Sequence, residues 1–275
     1  MERDCFEMDE ALKRMQNTLS ETLKSVIDIF EEHNLRYVMI YGSLLGTVRH
    51  NGFIPWDDDL DIAMPREDYE KFKSIAKDIL PEHLFLQDYS TDPEFPALIA
   101  KIRNNNTTLI ENGYRNLKKM NHGMFVDIFV ADYFESGTVN NIRLKLVKAF
   151  RGILLAQKVC GTNKLKKAVA TLFPRNALFR RTEKMLQKMD KKALHNHFII
   201  DCAHIFDADI FDDIILYDFE GYKVRIPASY DKILTAMYGN YMELPPMESR
   251  KPLHMTEHAS CDIPYMEYLQ THENI

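Results

Sequence analysis

The chain has 275 residues, enough to bury a large core, and its 35 Lys and Arg against 41 Asp and Glu leave a net charge of −6. No apolar run reaches the roughly 18 residues of a membrane-spanning helix, which leaves no transmembrane candidate. Cys5, Cys160, Cys202 and Cys261 are scattered without a Cys-x-x-Cys pair, so neither a zinc ribbon nor a disulfide framework is indicated, and Cys202-x-His204 lacks two further ligands nearby.

Leu12, Met15, Leu19, Leu23, Ile27 and Phe30 recur at helical spacing and predict a helix from about Asp9 to His33 with a core-facing stripe. Arg36 to Tyr41 reads as a strand rising into a Gly42-Ser43 turn, and Leu60 to Met64 as a second strand ended by Pro65. A helix over Arg66 to Leu80 follows, closed by Pro81. Further strands are predicted near Leu84 to Asp88, Ala97 to Arg103 and Met124 to Ala131. Strands interspersed with helices in this way point to an α+β fold, a mixed sheet packed by helices. No signal-peptide pattern is present at Met1-Glu2-Arg3-Asp4, so a cytoplasmic protein is expected.

The most informative stretch is Trp56-Asp57-Asp58-Asp59-Leu60-Asp61-Ile62. Asp59 and Asp61 flank Leu60, and side chains two apart on a strand share a face, so two carboxylates converge. Uncompensated, they repel each other and suffer desolvation, and a hard divalent cation such as Mg2+ or Mn2+ is the natural occupant of an all-oxygen site. Asp127 is a lone charge in the apolar run Gly123 to Val130, and it becomes a third ligand if its strand lies beside that of Asp61. Gly42 and Ser43 suit phosphate binding, through close backbone approach and hydrogen-bond donation. The competing account is a solvated acidic loop. Leu60, Ile62 and Ala63 argue against it by placing the aspartates at a buried strand.

Gly-Ser, Asp-x-Asp and a later strand Asp together resemble the catalytic pattern of the nucleotidyltransferase fold. The longer segment Tyr41 to His50, Gly52 to Met64, and Arg66 with Asp68-Tyr69-Glu70-Lys71-Phe72 resembles the signature of the LicD family of phosphorylcholine transferases, related to the fukutin group. The resemblance continues in His122 to Phe129, Val224 to Pro227, Tyr238 to Pro246, Arg250 and His254, and so spans roughly residues 36 to 254. Ser43 stands where threonine is common in that family, and Thr47 where alanine is common; both are small. The resemblance implies a CDP-linked alcohol donor, typically CDP-choline, and transfer of its phosphoalcohol to a hydroxyl of a cell-surface glycan or its lipid-linked precursor. Asp59, Asp61 and Asp127 would hold the metal, and one carboxylate could double as general base. Two other classes stay open: a nucleotidyltransferase moving NMP from an NTP to a small molecule, and a non-catalytic membrane-associated binding protein.

Other residues are candidates one by one. Arg49 is placed to contact a diphosphate bidentately, with His50 beside it. Trp56, the sole tryptophan, offers an aromatic face to a quaternary ammonium or anchors the loop. Lys101 either neutralises phosphate or lies on an edge strand with its amine in water. Asp57 and Asp58 read as supports of the ligands. From Arg143 to Lys192 there are 15 Lys and Arg against Glu183 and Asp190, a net of +13 that leaves −19 for the rest. That composition suggests three parts: a core over 1–137, a basic helical insertion over 138–195 and a C-terminal part over 196–275 packing back on the core. The basic segment could face an anionic membrane at the inner surface or be a solvated face. With no interleaved aromatic pattern, nucleic acid is not an expected partner.

Overall fold

The computed structural model describes residues 2–189, 197–200, 204–252 and 256–272, with side chains described from residue 10 onward and not at 208. Cys202 and His254 lie outside the described residues, and the described Cys160 and Cys261 are free thiols.

In chain order, α1 (Glu2–Glu32), β1 (Val38–Met39), α2 (Tyr41–His50), β2 (Asp61–Pro65) and α3 (Arg66–Ile79) come first. β3 (Leu84–Gln87), β4 (Ala100–Asn104), β5 (Thr108–Glu111) and β6 (Met124–Tyr133) follow. Three helices come next, α4 (Thr138–Lys158), α5 (Lys164–Ala170) and α6 (Arg175–Leu186). The chain then forms β7 (His197–Ile200), β8 (His204–Asp207), β9 (Ile214–Phe219), β10 (Tyr222–Pro227), α7 (Tyr230–Tyr238), β11 (Thr256–Ser260) and α8 (Tyr265–Thr271). The fold is mixed α+β.

The main sheet runs β1-β2-β6-β4-β3, with β7 pairing the end of β6 and β8 pairing β7. β2 and β6 are parallel and the remaining pairs antiparallel. Parallel neighbours buried on both faces should be continuously apolar. β2 obeys in Ile62, Ala63 and Met64, β6 in Val126 and Ile128; the exceptions are the buried Asp61 in β2 and the buried Asp127 and Asp132 in β6, the last paired with Arg66. The predicted stripe of α1 packs into the core through Met15, Leu19, Leu23, Ile27 and Phe30, while Leu12 is half-buried. Phe30 meets Phe72 of α3 edge-on at 5.0 Å between ring centres.

Two expectations change. Residues 41–50 form a helix rather than a turn: the extended Ile40 ends a two-residue strand, and α2 begins at once. Tyr41 makes this bend with φ +52°, a left-handed conformation that costs a bulky side chain energy and is held by surrounding contacts. β4 is also interior to the sheet rather than an edge, which removes the solvated-lysine account of Lys101.

The helices α4 to α6 are tied to the rest of the chain. Phe134 and Ile199 pack with Val147, Leu186 and Met189, and Leu98 and Tyr89 with Leu154, Leu178 and Phe179. Glu183 accepts a hydrogen bond from Tyr89 and lies 3.6 Å from Arg66, so part of the segment's charge is paired across the junction.

Candidate active site

The sheet register brings the sequence candidates together. Asp61 lies opposite Asp127 in the parallel β2–β6 pair, and Asp127 lies opposite Lys101 in the β6–β4 pair. Directly opposed residues share a face, so Asp61, Asp127 and Lys101 form one row across three strands. Both aspartates are buried. Burial pushes the Asp61 carboxyl well above its usual range, and the charges of Asp59, Asp127 and Asp57 push it further, against the opposing pull of Lys101. Asp127 is also raised by burial, with Lys101 opposing.

Lys101 is buried with its Nζ 2.9 Å from Asp127 Oδ1 and 3.8 Å from Glu111 Oε1, lying 3.1 Å from the centre of the Phe125 ring. Asp127 Oδ1 makes no well-directed hydrogen bond, so the Lys101 contact is chiefly charge pairing. Behind it, fully buried Arg103 donates to Gln87 Oε1 at 2.7 Å, to Gly123 O at 2.8 Å and to Glu111 Oε2 at 3.1 Å. A buried guanidinium with three acceptors fixes the row without adding free charge.

The acidic loop enters from the other side. Oxygens of Asp57, Asp58 and Asp59 all lie within 4.8 Å of one another, the one such carboxylate group among the described residues. The tightest group therefore starts at Asp57, which the sequence reading treated as a support, and includes Asp59. Burial, then Asp59 and Asp58, raise the Asp57 carboxyl to about 7. Gln16 of α1 pins this loop, donating to Asp57 O at 2.8 Å and Ile54 O at 3.3 Å. Gly42 is required by proximity: a Cβ there would stand 2.8 Å from Asp57 Oδ2. Ser43, buried in the first turn of α2, accepts a hydrogen bond from the Asp61 backbone N–H at 2.8 Å, and Thr47 donates to Ser43 O. Its hydroxyl oxygen is thus a tie between α2 and β2.

Arg49 and Trp56 form a second cluster. Arg49 donates to Tyr241 O at 2.8 Å, and Arg250 lies with its guanidinium carbon 5.6 Å from the Trp56 ring centre. Trp56 thus already meets a cation, contributed by the chain itself. Burial and the charge of Arg250 hold the Arg49 guanidinium below its usual range. Among the described residues no carboxylate forms an ion pair with either arginine, and Arg250 donates to Pro245 O at 2.9 Å.

Residues 34–151 match the LicD/FKTN/FKRP nucleotidyltransferase domain. The chain carries a LicD family domain. The chain is 28% identical to the lipopolysaccharide cholinephosphotransferase LicD of Haemophilus influenzae, over 85% of this chain and 93% of that protein. It is 32% identical to the ribitol 5-phosphate transferase FKRP of mouse and of human, over 28% of this chain and 16% of theirs.

The LicD domain match contains Gly42, Ser43, Arg49, Trp56, Asp59, Asp61, Lys101 and Asp127. It excludes two residues that the fold adds. Tyr238, at the end of α7, has its phenol pushed up to about 12 by burial and by Asp61, Asp57 and Asp59, which places it beside the acidic group. Arg250 is the other. No periodicity marks either; the sole signal was their position in the C-terminal block of the family resemblance.

Proposed function

We propose that this LicD domain transfers a phosphoalcohol from a CDP-linked donor to a hydroxyl of a cell-surface glycan or its lipid-linked precursor, on a nucleotidyltransferase-like scaffold. The observation that carries this reading is the buried Asp61–Asp127 pair set in register beside the Asp57–Asp59 loop. Carboxylates packed this closely oppose one another's ionisation, and their raised proton affinities express a field that a cation would relieve. The donor set is all oxygen, which suits Mg2+ or Mn2+. Asp59, Asp61 and Asp127 would hold the ion with Asp57 adjoining, and the ion would neutralise the donor diphosphate and polarise the phosphorus under attack.

The chain's own residues supply the rest. Lys101 compensates one charge of the row and opposes the burial that raises the proton affinity of Asp127. Ser43 holds the Asp61 backbone, and Gly42 leaves room for the Asp57 carboxylate. Arg49 and Arg250, free of carboxylate partners among the described residues, suit the donor phosphates. An alcohol carrying a quaternary ammonium would have to share Trp56 with Arg250. The activities for which the relatives are named, transfer of choline phosphate and of ribitol 5-phosphate, support a phosphoalcohol cargo.

A thermal-shift panel tests the reading, with CDP-choline, CDP-ribitol, CDP-glycerol, CMP, CTP and ATP, each with and without Mg2+. A Mg2+-dependent rise with one CDP-alcohol exceeding that with CMP is expected. A rise with CTP or ATP alone would replace this reading with nucleotidyl transfer from an NTP, and no response to any nucleotide would leave a non-catalytic binding protein.

A further inference from the structure

Between Glu135 and Glu183 the chain contains no Asp or Glu. Within this acid-free stretch, α5 and the turn after it expose large apolar side chains: Leu165 is 74% exposed, Val169 52%, Leu172 79% and Phe173 42%. Leu165, Val169 and Leu172 are spaced by four and three residues, so they lie on one helical face, and the helical turns continue through Thr171, Leu172 and Phe173 by backbone hydrogen bonds. Lys164, Lys166 and Lys167 flank that face, and none forms an ion pair among the described residues.

The tip is held in place despite its exposure. Asn163 caps α5 by accepting from the N–H groups of Leu165 and Lys166. Gln157 of α4 donates to Ala170 O at 2.8 Å and Phe173 O at 3.0 Å, and Ala170 is the residue of α5 that packs inward. The apolar side chains therefore project outward because the backbone is anchored from behind. A contiguous apolar face on an ordered element marks an interaction site, since water contact there is unfavourable and none of the described residues covers it.

We infer that this face, Leu165, Val169, Leu172 and Phe173 ringed by Lys164, Lys166 and Lys167, docks on an anionic lipid surface. Charge complementarity selects this occupant: apolar side chains enter the acyl boundary while flanking lysines meet anionic headgroups. A second copy of the chain would bring an equally basic face and be repelled. The inference does not depend on the chemistry proposed for the acidic site.

Co-sedimentation of the full chain with phosphatidylcholine vesicles, with and without phosphatidylglycerol, tests it at low and high salt. Wild type is expected to sediment with the phosphatidylglycerol-containing vesicles at low salt and to be released by high salt. The pair Leu165→Glu/Leu172→Glu should weaken binding at least about tenfold, because it removes two apolar side chains that would leave water and adds two charges that anionic headgroups repel. Lys164→Gln/Lys166→Gln/Lys167→Gln should weaken binding and abolish its salt dependence. Both variants change exposed positions and should keep the wild-type melting temperature and the wild-type response to soluble nucleotides. Failure of wild type to bind anionic vesicles, or wild-type binding by the leucine variant, overturns the inference. So does sedimentation velocity showing a wild-type dimer that the leucine variant dissolves.

Discussion

The sheet row around Asp61 and the basic helices after Glu135 are both dense in charge, and they use it oppositely. In the sheet, carboxylates are buried, opposed in register and partly compensated by one lysine, so the local field is strong and fixed. In α5 the lysines are exposed, with no ion pair among the described residues, so each contributes little to folding. Local charge density alone does not distinguish a reactive centre from a surface; what distinguishes them is whether the fold removes water from the charges.

Substitutions separate the two regions. The largest expected effect is on turnover. Asp61→Asn should reduce CMP release from the CDP-alcohol donor by roughly 100-fold or more, the scale of removing one stabilising electrostatic group, while leaving or raising the melting temperature of the metal-free protein. Normal turnover by this variant would break the comparison. Next is Lys101→Met, which leaves Asp127 buried without its ion-pair partner and should cost about 3–5 kcal/mol in denaturant unfolding. Gly42→Ala should lower activity by displacing the Asp57 carboxylate, with stability changed by about 1 kcal/mol or less because helix propensity offsets crowding.

The pH response sharpens the contrast. Asp57 binds its proton more tightly in the folded chain than in the unfolded one, so its contribution favours folding at low pH. That contribution is lost as pH rises from the ordinary carboxylate range through about 7. Metal-free melting temperatures should fall across this window, and Asp57→Asn should flatten the fall. The smallest effect belongs to the helices: replacing Lys164, Lys166 and Lys167 by Gln should shift folding stability by about 0.5 kcal/mol or less, read by the same denaturant titration.

How much of this was legible in the sequence follows from range. Asp61 and Asp127 stood out because each interrupts an apolar strand, but that their strands are neighbours was only a condition until the sheet order supplied it. The basic character of α4 to α6 was equally plain, although charge counting could not show which apolar side chains stay exposed. The helix at 41–50 was hidden because it depends on the left-handed Tyr41, whose ring packs 5.1 Å from Phe129 in a strand far along the chain. The interior place of Lys101 was hidden too, since strand order is not written in any one strand. Arg250 over Trp56 and Tyr238 beside the aspartates join residues almost two hundred positions apart. The pairing of β11 with β5 went unread for the same reason, since it joins strands remote in sequence.

The account rests on the sheet carboxylates holding a divalent cation, and titration of the metal-free protein with Mn2+, followed by electron paramagnetic resonance of the free ion, tests that most directly. It predicts saturable binding in wild type that Asp61→Asn loses or weakens at least about tenfold, as expected when one carboxylate of such a site is removed. Absence of binding in wild type, or equal binding in the variant, would contradict it.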